Sequence, residues 1–67
     1  MEVEDRMFKW FEADHLPPEL QVISVQFRDL AYQVTIRIDP GPERTVALRK
    51  LLEAKDAAVR ATIHPGG

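Results

Sequence analysis

Glu43, Arg44, Thr45, Arg49 and Lys50 gather at the front of a stretch, 43–61, whose alanine, leucine and lysine content is that of a helix. Asp39-Pro40-Gly41-Pro42 comes just before it and punctuates its start, with Gly41 placed as N-cap and Pro42 as first helical residue. The first turn of a helix presents unpaired N–H groups and the positive end of the macrodipole. Arg44 adds a planar fork of donors and Thr45 a hydroxyl, a set suited to phosphate oxygens. Composition alone favours a plainer reading, in which these basic side chains solubilise the outer side of an alanine-rich helix. Neither a Gly-x-x-x-x-Gly-Lys loop nor a Gly-x-Gly-x-x-Gly loop is present, which excludes the ordinary mononucleotide and dinucleotide folds.

A second group could complete nucleotide recognition. Trp10 or Phe11 could stack on a base, a contact worth about 1–3 kcal/mol in single-stranded nucleic-acid sites, and Arg28 could neutralise a phosphate. Aromatics near the end of a small helical domain are more often core or interface, and both readings stand. Tyr32 suits an interface or a surface. Catalysis is poorly supported: the chain has one serine, Ser24, no cysteine, and two histidines, so a nucleophilic triad would draw on several subunits. The chain reads as a non-enzyme. Asp14-His15 is better taken as a local cap or surface pair than as half of a metal site, because no second ligand set is spaced to complete one. Glu53 and Asp56 have Lys50, Lys55 and Arg60 at helical spacings and read as solvated ion pairs. No metal or cofactor is expected.

These residues need elements to hold them. Phe8, Trp10 and Phe11, three of the five aromatics, lie within four positions, and residues 5–12 of the N-terminal aromatic segment 1–15 read as a short helix or turn. Leu16-Pro17-Pro18-Glu19 ends that element and starts the next. Leu20, Ile23, Phe27, Leu30 and Val34 recur at steps of three and four and predict a helix over 18–36, with these residues as its seam. Val34-Thr35-Ile36-Arg37-Ile38 alternates as a strand would, but one strand has no partner here, and the segment is kept helical or irregular. A third helix is expected over 42–62. It has Leu48, Leu52, Val59 and Ile63 on one face and Ala47, Leu51, Ala54, Ala58 and Ala61 on the next. A single antiparallel partner covers only part of that arc, which implies a second contact, between subunits.

The 67 residues allow one small domain, without disulfides or zinc thiolates to reinforce it. Such domains bury only about 60% of their unfolded surface. With 45% of residues hydrophobic, some of that surface is expected in a homo-oligomer interface. The expected fold is all-α: a short N-terminal helix and a two-helix antiparallel hairpin, assembled with further copies. A net charge of −2 disfavours DNA as a partner. The charge is uneven, because residues 43–60 carry five basic side chains against three acidic ones and so leave room for a local anion site. No apolar run approaches the ~20 residues that cross a bilayer, and the acidic N-terminus is unlike a signal peptide, so an intracellular protein without a membrane partner is expected.

Three blocks carry a resemblance to a known family: Phe11-x-x-x-His15-Leu16-Pro17-Pro18-x-Leu20, Phe27-Arg28-Asp29-Leu30-Ala31, and the run from Pro42 to Ala61. Over about residues 8–61 the chain resembles the small phage anti-CBASS proteins that sequester cyclic nucleotides, most specifically in the last block. The resemblance implies a sponge acting in the cytoplasm of the infected bacterial host. It would bind the cyclic oligonucleotide messenger, a cyclic dinucleotide such as cGAMP or a cyclic trinucleotide, and keep it from the immune effector without cleaving it. It further implies compact helical protomers assembled as hexamers, with dinucleotide pockets between protomers and separate trinucleotide pockets. Carried over by position, Arg28 before Asp29-Leu30-Ala31 would contact the cyclic dinucleotide. Ala13 departs from the family's Phe-x-aromatic pattern, so Phe11 or Trp10 supplies the stacking ring, or dinucleotide binding is weakened or lost. Arg44 and Thr45, with Arg49 next, match the arginine and hydroxyl of the trinucleotide pocket by type. The alternative from the residues alone is a small homo-oligomeric helical module that binds a protein partner through its aromatic N-terminus.

Overall fold

The computed structural model describes residues 8–12 and 15–66. Residues 5–7 of the expected N-terminal element, and Ala13 and Asp14, lie outside them. The described residues form two α-helices and no strand: α1, Pro18–Arg37, and α2, Pro42–Ile63, preceded by one 3-10 turn at Phe8–Phe11.

Both helices start on proline at the first helical positions. Pro17 is extended (φ −56°, ψ 152°), as a residue before proline should be, and its carbonyl accepts from the N–H groups of Leu20 and Gln21 at 2.9 and 3.0 Å. Neither N-cap side chain bonds the helix start. At α1 Gln21 Nε2 instead donates to the Leu16 carbonyl at 2.6 Å, fastening the entering chain to the first turn. The segment 34–38 resolves in favour of the helix up to Arg37. Ile38 is extended, its N–H still donating to Val34 O, and Pro40 then keeps Asp39 from continuing the helix.

Phe11, Ala31 and Leu48 have no solvent exposure and form the centre of the core, with Phe27, Val34, Leu51 and Leu52 packed around them. The seam on α1 differs from the expected one. Leu30 is 53% exposed, while Leu20, Ser24 and Ala31 are buried and Phe27 and Val34 half-buried. Ile23 is half-buried like Phe27 and Val34, so Leu30 alone leaves the expected seam, and Ser24 and Ala31 join the inward side. The small Ala31 packs with the Phe11 ring, which comes from outside the hairpin and could not be placed by the period of α1.

On α2 the expected Leu48 face is inward, except that Ile63 is 52% exposed at the helix end. Ala47, Ala54 and Ala61 are exposed, and Leu51 and Ala58 between them are half-buried. The molecule measures 37 × 23 × 15 Å. Its shortest dimension barely exceeds one helix diameter of about 10–12 Å, so most side chains reach a surface.

Replacing Phe11 with Ala is expected to cost about 3–5 kcal/mol, comparable to what a core of this size supplies, and to abolish cooperative urea unfolding followed by circular dichroism. The Ser24 hydroxyl is fully buried with no hydrogen-bond partner among the described residues. Ser24→Ala should therefore raise the urea midpoint, by a free energy of about 1 kcal/mol, because a desolvated hydroxyl is removed and helix propensity improves.

Candidate functional site

Arg44 is the third residue of α2, where its charge opposes that helix's own dipole. It is offset by the neighbouring helix end. Nη1 donates to the carbonyls of Thr35 at 3.2 Å and Ile38 at 2.9 Å, two of the acceptors that the end of α1 leaves without helical partners. One half-buried guanidinium thus staples the last turn of α1 to the first turn of α2. Thr45 is engaged locally as well: its hydroxyl donates to the Gly41 carbonyl at 3.2 Å, the same oxygen that accepts the Thr45 backbone N–H at 3.1 Å. The pair expected to face phosphate is, within one chain, part of the hairpin turn.

Arg49 stands differently, exposed on α2. It follows Arg44 by five positions, so the two project about 140° apart around the helix and roughly 7.5 Å apart along it. Arg28 lies at the middle of α1 with its side chain 34% exposed, and its Nε is 3.6 Å from Oδ1 of the adjacent Asp29. In the aromatic pair the roles divide: Phe11 is buried in the core, and Trp10 is 58% exposed. Of the two rings proposed for stacking, only Trp10 presents a face to solvent. Tyr32 is half-buried on α1.

The six residues do not converge on one pocket within the chain. Arg44 and Thr45 belong to the turn end of the hairpin. Trp10 is held at Lys55, roughly 16 Å further along α2 than Arg44. That hold is a hydrogen bond of 2.7 Å from Lys55 Nζ to the Trp10 carbonyl. Lys55 had been read as one member of a surface ion-pair set, yet its side chain is only 12% exposed and also lies 3.3 Å from the carboxylate of Asp56. No periodicity could reveal its contact with Trp10, which joins residues 45 positions apart. The rest of that set is partly as expected. Lys50 and Glu53 pair at 3.9 Å across one turn, both largely exposed, while Asp56 pairs with its sequence neighbour Lys55.

His15 is exposed, and Asp14 beside it lies outside the described residues. Among the described residues no cluster of three or more His, Asp or Glu side chains could hold a metal ion. An open concavity at the far end of α2 is lined by Ala57, Arg60, Ala61, His64 and Gly66, none of which the sequence had singled out as a site. No described helix is long and apolar enough to cross a membrane.

The staple gives a sharp contrast between two arginines on one helix. Arg44→Ala should lower the urea midpoint, by a free energy of about 1–2 kcal/mol, because charge-assisted bonds to two helix-end carbonyls are lost. Arg49→Ala should stay within about 0.5 kcal/mol of the parent, as exposed substitutions usually do. Comparison with protein-family models, with curated proteins and with solved structures finds no match to this chain.

Proposed function

We propose that this chain is a cyclic-oligonucleotide sponge: a phage protein that binds cyclic di- or trinucleotide messengers of bacterial immunity, keeps them intact, and does so in pockets built between copies of itself. The observation that carries the reading is the open line of Ala47, Ala54 and Ala61 on α2, seven residues apart and exposed. A hairpin covers one side of its second helix. Small side chains at that spacing let the helix of another copy approach closely, while Arg49 stands on the opposite side of α2, open to a further contact. The resemblance carried by residues 42–61 supports the same reading.

Within it, Arg28 and Trp10 serve the dinucleotide, and Arg49, with Arg44 and Thr45 at the front of α2, the trinucleotide. The buried position of Phe11 leaves Trp10 as the stacking ring. A cyclic phosphodiester carries diffuse negative charge on each phosphate, which guanidinium groups match by paired donors. Nothing in this set activates a nucleophile, in keeping with sequestration rather than hydrolysis.

A second reading has its own support. Trp10 at 58% exposure, with Val22 at 61% and Leu30 at 53%, also suits a protein-interaction module whose partner covers apolar side chains. A thermal-shift series separates the two, since a ligand well above its Kd raises apparent stability and a pure adaptor ignores nucleotides.

Isothermal titration with cyclic di- and trinucleotides, followed by chromatographic recovery, is expected to show saturable binding and return of the intact ring. Absence of binding for both ring sizes, or recovery of a linear product, would overturn the sponge. Light scattering should find an oligomer, the hexamer being the expected state; a monodisperse monomer at micromolar concentration rules out every pocket between chains. Arg49→Ala should weaken trinucleotide binding by about tenfold while leaving the thermal midpoint in place, because the lost interaction is made only with ligand.

A further inference from the structure

A lysine is seldom buried unless it is paired, since the ammonium must give up its water. Lys55 lies with only 12% of its side chain exposed, and its ammonium donates to the Trp10 carbonyl at 2.7 Å while standing 3.3 Å from Asp56. The bond to Trp10 is the structure's longest-range described side-chain hydrogen bond, and it terminates on the 3-10 turn that precedes the hairpin.

The location of that acceptor matters. The Trp10 carbonyl belongs to the peptide unit joining Trp10 to Phe11, and this unit is planar from one Cα to the next. At one end it continues into Phe11, whose ring is fully buried in the core with Ala31 and Leu48. At its oxygen it is held by Lys55. With the far Cα anchored by a ring and the oxygen by an ammonium, the plane has little freedom to rotate, and the Cα of Trp10 is fixed with it. The Trp10 ring, 58% exposed, retains only its own two side-chain torsions. A large aromatic surface is therefore presented to solvent from a fixed point of attachment.

We infer that Lys55 is a positioning residue for Trp10: through the Trp10 carbonyl it holds the indole ready to stack on the flat face of a heteroaromatic base, without touching that base itself. The inference rests on the sponge reading for the identity of its ligand. Fixing the ring's point of attachment before binding removes part of the ordering cost that a loose segment would incur on stacking, so the effect falls on affinity. Phe11 supplies the anchor and Lys55 the direction.

Trp10 is the only tryptophan of the chain, so its emission reports on this ring alone. In the full-length protein without ligand, the fast component of time-resolved anisotropy should be no larger than rotation about the ring's own two torsions permits, the rest decaying with the whole molecule. Lys55→Met keeps the aliphatic stem and removes the charge. It should raise acrylamide quenching and the fast anisotropy component while helical circular dichroism is retained, and Lys55→Arg should restore both. Cyclic dinucleotide affinity is expected to fall by about tenfold in the Met variant and to recover in the Arg variant. Wild-type anisotropy and quenching in the Met variant, with the helices intact, would refute the positioning role. If the parent binds neither ring size, the sponge reading fails, while the ligand-free fluorescence still decides whether Lys55 holds Trp10.

Discussion

The ring of Phe11 is enclosed with Ala31 of α1 and Leu48 of α2, and most of the remaining structure follows from its insertion there. Two helices side by side bury only the strip along which they touch. A third element must cover that strip if a core is to close, and here one aromatic from a 3-10 turn does so. Its ring packs with the small Ala31, which α1 turns inward while Leu30 is left at the surface. It also divides the aromatic segment by function: with Phe11 inside, its neighbour Trp10 is left facing water.

Two cations of α2 serve the same economy from opposite ends. Arg44 bonds the carbonyls of Thr35 and Ile38 at the turn, and Lys55 bonds the carbonyl of Trp10 beside the plug. Each bonds backbone carbonyls of another segment and fastens that segment to α2. A helix with basic residues throughout reads in sequence as a solvated surface or as an anion site. In the folded chain part of that charge is spent on holding backbone together, and Arg49 is the arginine of the proposed set left exposed on α2.

The thinness of the molecule, 15 Å across its shortest axis, leaves an exposed alanine line along α2 and several large apolar side chains at the surface. A cyclic oligonucleotide presents several phosphates and bases on a ring wider than any recess between two helices. Pockets formed by several copies would enlarge the recess and bring separated arginines to one ligand.

What the sequence determined by itself was local. Proline pairs at 17–18 and 40–42 set where each helix begins and where α1 cannot continue, because proline fixes its own φ and restricts the residue before it. The spacing of leucines and alanines over 42–62 marked both the inward face of α2 and the outer alanine line, since helical period is a property of neighbours in the chain. Only the tertiary structure decided which of Trp10 and Phe11 is buried, which register of α1 is turned inward, and that Arg44 and Lys55 end on backbone carbonyls. Each of those outcomes depends on a partner six to forty-five positions away, and side-chain period carries no information about which distant carbonyl a cation will meet.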